Sequence, residues 1–274
     1  MPAAVVPVAV GAAAAVGEPT DIVWWRVAAA LLVSLSLQVG VNYANDYSDG
    51  VRGTDDVRVG PTRLVASGLA SASSVKRAAL LSFAVAAVAG LAIALSTSLV
   101  LLLVGAAAIA AGWFYTGGPK PYGYLGLGEL FVFVFFGLVA TAGTTYAAIE
   151  SVTAMSLVMG CAVGSLACAL LVINNLRDIP TDRDVDKLTL AVRLGDQRTR
   201  WFYVLLIAAA FLLCAVATVW QAPVLLAFLA LPLAIRPVRS VLGGAIGPTL
   251  IPVLGETGKL QLAWGLLATI GLAL

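Results

Sequence analysis

After Lys76 and Arg77, residues 78–115 carry no charged side chain at all. An uncharged and mostly apolar run of that length, broken by Ser82 and by Ser96, Thr97 and Ser98, has no place inside a soluble domain of this size, so lipid must be its solvent. A membrane helix needs ~20 apolar residues, because a rise of ~1.5 Å per residue has to cover a hydrocarbon core of ~30 Å. Further stretches of the same kind lie along the chain. Spans are expected at 2–16, 27–45, 75–95, 97–115, 125–148, 153–175, 201–219, 222–239 and 259–274. Composition agrees: 61% of residues are apolar and 11% charged, against roughly 25% charged in soluble domains. The expected fold is an all-α integral membrane protein with about nine transmembrane helices, forming a single transmembrane domain over 1–274. The first stretch is short for a span and lacks the basic segment of a signal peptide. It is read as a true first helix whose leading residues precede Met1.

Several function classes are excluded early. Histidine is absent, which removes the commonest metal ligand and the commonest general base; any metal must be held by oxygen. The net charge of +2 and the lack of a dense basic run give no support to a nucleic-acid partner. Cys161, Cys168 and Cys214 lie inside apolar runs without ligand-like spacing and read as small buried hydrophobes. With nine alternating helices, one face of the membrane receives every basic residue except Arg26 of the sixteen in the chain. Lysine and arginine favour the cytoplasmic side. The amino terminus is therefore expected in the cytoplasm of a multi-pass cell-membrane protein.

The same rule does not explain why acids collect on that face too. In NYANDYSDG, Asn42, Asn45, Asp46 and Asp49 fall at i, i+3, i+4 and i+7, one stripe of a helix. In NNLRDIPTD, Asn174 and Asp178 repeat Asn42 and Asp46 at the same offset of 132 residues, and Asp182 follows. Both motifs close even-numbered helices running in the same direction. The chain thus reads as two parallel halves, roughly 1–116 and 117–274. An amide or carboxylate at a helix end is ordinarily a cap or a solvated group. Here the leading asparagines follow strongly apolar residues, and polar groups at membrane depth face a cavity or a partner.

Converging aspartates repel unless cations neutralise them. Mg²⁺ suits the donor set: a hard cation taking one or two carboxylates and leaving its other positions to water or phosphate. Carboxylates with Mg²⁺ beside Arg and Lys form a grip for a diphosphate. Arg63, Lys120 and Lys187 are the candidate cations. A diphosphate at a membrane face with an apolar cavity behind it points to a polyprenyl diphosphate, its tail in lipid. Tyr115 and Tyr122, flanking a Gly-Gly-Pro turn, are the aromatics placed at that mouth. The run Phe131, Phe133, Phe135 and Phe136 is read mainly as lipid-facing filler. Pro180 is expected to kink the second motif, carrying Asp182 off the axis of Asp178.

These motifs resemble the two aspartate-rich signatures of the UbiA-type intramembrane prenyltransferases, and the resemblance spans nearly the whole chain. Within that group, GTDDVRVGPTR, YTGGPKPYGYLGLGELFVFVFFG and KLTLAVRLG look most like the branch that prenylates 1,4-dihydroxy-2-naphthoate in menaquinone synthesis. The resemblance implies helices around a central cavity open at the cytoplasmic side. It also implies Mg²⁺-dependent transfer of a polyprenyl chain to the aromatic acceptor, with loss of diphosphate and carbon dioxide. Carried over by position, Asp46, Asp49, Asp178 and Asp182 match the catalytic, metal-binding aspartates. Asn42, Asn45 and Asn174 match amides of the motifs, and Arg63, Lys120 and Lys187 match basic positions near the diphosphate. Two departures stand out: the sequence opens at MPAAVVPV, where the family has an Arg-Pro-rich leader that is expected to precede Met1, and Asp186 stands where glycine is expected before Lys187. A hydroxybenzoate or homogentisate acceptor is the alternative within enzymes. A cation-coupled transporter is the alternative outside them, although its acids would sit nearer the bilayer midplane.

Overall fold

The computed structural model describes residues 1–54 and 62–274. Most of GTDDVRVGPTR, including Arg58 of the orientation count, lies outside the described residues. Among those described there are helices and turns and no strand. In chain order they are α1 (Pro2–Ala13), α2 (Trp24–Arg52), α3 (Ala72–Ser96) and α4 (Val100–Phe114). After a 3₁₀ turn at Tyr122–Leu125 come α5 (Gly128–Val132), a π-helical segment Phe133–Val139 and α6 (Ala140–Ile149). Then follow α7 (Ala154–Asp184), the short α8 (Leu190–Leu194) and α9 (Asp196–Ala217). A 3₁₀ stretch Ala222–Ala230 bends by 48° into α10 (Pro232–Leu242), and α11 (Leu250–Ala273) ends the chain.

Among the described residues, five helical rods are long and apolar enough to cross a membrane: α2, α3, Gly128–Ile149, α7 and α9. The bent pair ending in α10 makes a sixth, and α1 and α4 are shorter apolar helices. The chain is a multi-pass membrane protein. Each expected stretch overlaps helical residues, but the bounds differ: α1 and α4 are shorter than expected, and α2, α7 and α11 run longer. Glu256 and Lys259 interrupt the apolar pattern, yet α11 runs through both. Glu256 pairs with Arg236 at 3.5 Å, and Lys259 lines an internal cavity.

The length of α2 and α7 decides where the polar motifs stand. At 29 and 31 residues they extend ~44 and ~46 Å, well beyond a ~30 Å hydrocarbon core. Their additional turns carry the Asn/Asp stripes. A capping box starts α7: Ser156 N–H donates to Thr153 Oγ1 at 3.0 Å, and Thr153 N–H to Ser156 Oγ at 3.1 Å. Pro180 lies inside it, and the helix continues to Asp184. Near the missing backbone bond, Thr181 Oγ1 donates to the Asp178 carbonyl at 3.0 Å. Asp178 and Asp182 therefore stand one turn apart on one helix.

Most of α7 is buried, and it packs with α1, α9 and α11 around the main apolar core. Glycine lets the π-helical segment lie directly on it: a Cβ at Gly137 would fall 2.5 Å from Gly164 Cα. At the end of the bundle away from the motifs, Arg26 ties three elements together. Its guanidinium donates to Glu150 Oε1 and to the Ser96 carbonyl, each at 2.7 Å.

Candidate active site

The two stripes face one cavity of about 1300 Å³. From α2 it is lined by Asn42, Asn45, Asp46 and Asp49, and from α7 by Asn174 and Asp178. The leading asparagines behave alike. Asn42 Nδ2 donates to the Gln38 carbonyl at 2.8 Å, and Asn174 Nδ2 to the Leu170 carbonyl at 3.3 Å. Each amide oxygen is thereby left for the cavity. Tyr115, Tyr122, Arg63 and Lys187 are also on the wall. Asp182 is buried just outside the lining and reaches it through Lys187 Nζ, 3.5 Å from Asp182 Oδ1 and 4.0 Å from Asp49 Oδ2. Lys120 is exposed on the turn after α4 and does not line the cavity.

Each motif carboxylate already has a partner. Asp46 accepts the backbone N–H groups of Leu64 at 2.9 Å and Val65 at 3.0 Å, which fastens the turn following Arg63 to α2. Gly50 makes room for that turn, since a Cβ there would lie 2.6 Å from Val65 Cβ. Asp49 Oδ1 accepts from the Tyr124 hydroxyl at 2.9 Å. Arg177 grips Asp178 with Nε at 2.6 Å and Nη2 at 2.7 Å. An ionised carboxylate has about four acceptor positions, so every one of these groups keeps capacity for a further ligand. Among the described residues no three carboxylate or cysteine groups come close enough to cage a metal. The arrangement is a carboxylate pair on each helix, all hard oxygen. It fits a divalent cation that retains waters and accepts phosphate oxygens, rather than one enclosed by protein.

The turn between α4 and α5 is built onto α2. Arg52 donates to the carbonyls of Thr116 and Gly118, and Thr116 Oγ1 donates to Asn45 Oδ1 at 2.8 Å. The Tyr124 ring lies between two cations, with Arg52 Cζ and Lys187 Nζ each 5.4 Å from its centroid. Burial, then the Asp49 carboxylate, raise the Tyr124 phenol above its ordinary value, so it stays a hydrogen-bond donor to Asp49. Tyr122 spends its hydroxyl on the Ala111 carbonyl at 2.8 Å and offers only its ring, stacked on Phe131 at 4.0 Å. Phe131, Phe135 and Phe136 all line the cavity. Most of this run was expected to be filler facing lipid. Phe131 and Phe135, one turn apart, and the adjacent Phe136 lie on the cavity wall instead.

Asp186 has a φ of 54°, the left-handed region where glycine carries no steric penalty. That explains why glycine is expected there. Aspartate is among the few other residues that adopt this conformation. The loop closes normally, with Lys187 N–H donating to the Asp182 carbonyl at 2.8 Å.

Sequence reasoning offers Tyr124 only among the aromatics that could line the path, ranked below Tyr115 and Tyr122, and missed Arg52, Arg177 and a buried pair, Glu129 and Asn175. Tyr124 and Arg52 have a faint signal, an aromatic in a glycine-rich turn and a cation directly after the first motif. Glu129 had a stronger one, a single carboxylate opening an otherwise apolar helix.

The model of the UbiA prenyltransferase family matches residues 4–243. The chain belongs to that family and is a polyprenyltransferase. It is 51% identical to the 1,4-dihydroxy-2-naphthoate octaprenyltransferase of Mycobacterium tuberculosis, over 100% of this chain and 93% of that protein. It is 34% identical to the Escherichia coli protein of the same name, over 95% and 90% of the two chains. Among solved structures, a UbiA homologue from Aeropyrum pernix superposes with a TM-score of 0.70 at 17% identity, covering 98% of this chain and 96% of that one. One from Archaeoglobus fulgidus, bound to DMAPP and Mg²⁺, gives 0.64 at 16% identity with the same coverage.

Proposed function

We propose that this protein transfers a polyprenyl chain from its diphosphate to 1,4-dihydroxy-2-naphthoate, with release of diphosphate and carbon dioxide. The observation that carries this reading is the meeting of two Asn/Asp stripes around Lys187 at the mouth of an aromatic-lined apolar cavity. The full-length relatedness to naphthoate octaprenyltransferases selects the acceptor. In this reading nine helical units cross the cell membrane as two parallel halves, 1–116 and 117–274. The amino terminus and the mouth of the cavity face the cytoplasm, where nearly all basic residues are counted.

Arg63 and Lys187 bind diphosphate oxygens, and Lys120 adds positive charge at the outer edge of the same mouth. Asp46, Asp49, Asp178 and Asp182 would supply oxygen ligands for Mg²⁺, and Asn42, Asn45 and Asn174 beside them bind the substrate. When bound, that ion stabilises the charge growing on the departing diphosphate. Tyr115, Tyr122 and the phenylalanines hold the first isoprene unit against apolar and aromatic faces and keep water from the allylic carbon. The bond from allylic carbon to diphosphate oxygen breaks as the electron-rich ring carbon bonds to that allylic carbon. Loss of the carboxylate then restores the aromatic ring. The acceptor supplies its own electrons, so no strong protein base is required.

The test is an in vitro assay with labelled polyprenyl diphosphate, offering the naphthoate, hydroxybenzoate and homogentisate separately, with Mg²⁺ or with a chelator. Transfer to the naphthoate alone, lost on chelation and restored by Mg²⁺, is the expected result. Transfer to another acceptor, or transfer unaffected by chelation, contradicts the corresponding part.

A further inference from the structure

Glu129 opens α5 with only 5% of its surface exposed. Its Oε1 accepts from Asn175 Nδ2 at 2.8 Å, while its Oε2 is buried without a hydrogen-bond partner. A carboxylate in apolar surroundings is costly to keep unless something uses it, and an ionisable group at the edge of a membrane helix marks function by default. The diphosphate grip described above does not use it. Asn175, next to Asn174 but turned ~100° around α7, lines the cavity beside the aspartate stripe. Tyr115 shares that wall and rests its ring on Gly128, where a Cβ would meet Tyr115 Cε2 at 3.2 Å.

The chemistry of this pair fixes a direction. Asn175 turns its NH₂ toward Glu129, with Nδ2 donating to Oε1. The side-chain amide, otherwise free to flip, then presents Oδ1 to the cavity as an acceptor. An acceptor of this kind fits a hydroxyl donor and rejects an ether. We infer that Asn175 binds a ring hydroxyl of the aromatic acceptor and that Glu129 is its positioning residue. This rests on the reading that the acceptor is a dihydroxynaphthoate. It deepens that reading by naming the contact that selects for a free hydroxyl.

The experiment measures kcat/KM for 1,4-dihydroxy-2-naphthoate and for each of its two monomethyl ethers, using the full chain in proteoliposomes. A site built to hydrogen-bond a hydroxyl discriminates strongly against analogues lacking it, so the wild type is expected to disfavour one ether by ~100-fold or more. In Asn175→Leu the ratio should fall to about threefold, with KM for the prenyl diphosphate almost unchanged, because only the hydroxyl's partner is gone. In Glu129→Gln either amide of the pair can donate, so Asn175 can flip, and the ratio should fall by about tenfold. The ratio is taken within each variant, so a poorly folded fraction cancels. Ratios equal to wild type in both variants, or equal rises in KM for both substrates, would reduce the pair to a structural tie between α5 and α7. A wild type inactive on every naphthoate would instead overturn the acceptor reading itself.

Discussion

Lys187 Nζ lies 3.5 Å from Asp182 Oδ1, and the same ammonium lies 4.0 Å from Asp49 Oδ2. One cation thus joins a carboxylate of α7 to a carboxylate of α2. Without it, Asp49 and Asp182 would lose the one cation they share and repel each other. Lys187 is held by a short loop whose left-handed residue, Asp186, sets the reversal after α7.

Lys187→Met should therefore impair the grip on diphosphate more than the fold. Loss of one charge-assisted contact of ~1.5–3 kcal/mol lowers kcat/KM for the prenyl diphosphate roughly 10- to 100-fold. KM for the aromatic acceptor should change little. Steady-state kinetics with each substrate varied in turn checks this; equal effects on both substrates would argue for a general structural role.

Asp46 and Asp178 should fail in different ways. Asp46→Asn and Asp178→Asn should each cut turnover by ~100-fold or more in protein that inserts and purifies normally. Only Asp46→Asn should also loosen the 62–65 turn, because an Asn side chain accepts just one of the two backbone N–H groups now held by Asp46. Limited trypsinolysis at Arg63, faster in Asp46→Asn than in Asp178→Asn, is the readout. Gly50→Ala should accelerate the same cleavage, since its Cβ would crowd Val65.

At position 186 the backbone makes the prediction. Asp186→Gly should keep activity within about twofold, because glycine adopts positive φ freely. Asp186→Val should lose ~1–2 kcal/mol of local stability and raise KM for the diphosphate through Lys187. A valine variant indistinguishable from wild type would contradict the conformation at this residue.

Orientation is open to labelling in a background with Cys161, Cys168 and Cys214 replaced. A cysteine at Leu188 or Arg193, both exposed, should react with an impermeant thiol reagent only from the cytoplasmic side. One at Thr20, on the same face as Arg26, should react only from outside. The reverse pattern would move the diphosphate site to the other face.

The helical stretches and the aspartate stripes were legible because both depend on local periodicity. Asn42, Asp46, Asn174 and Asp178 line the cavity on the faces that their i, i+4 spacing assigned to them. What was hidden depends on contacts distant in sequence. Nothing local marks Tyr124 as a donor to Asp49, or tells that Asp46 anchors Leu64 and Val65. The phenylalanine run was misjudged because an apolar ring looks the same in the sequence whether it faces lipid or an apolar cavity. Glu256 and Lys259 broke a hydropathy pattern without breaking α11: Glu256 pairs with Arg236, and Lys259 is exposed at the cavity.

The central claim, prenyl transfer to a carboxylated naphthoate ring at this mouth, is tested most directly by following the carboxyl carbon. With carboxyl-labelled 1,4-dihydroxy-2-naphthoate, labelled carbon dioxide should appear in proportion to prenylated product. Its release should require both polyprenyl diphosphate and Mg²⁺, because the ring has no reason to expel its carboxylate before it is alkylated at that carbon. Prenylation of hydroxybenzoate without carbon dioxide, together with no reaction of the naphthoate, would contradict the account while leaving the family membership untouched.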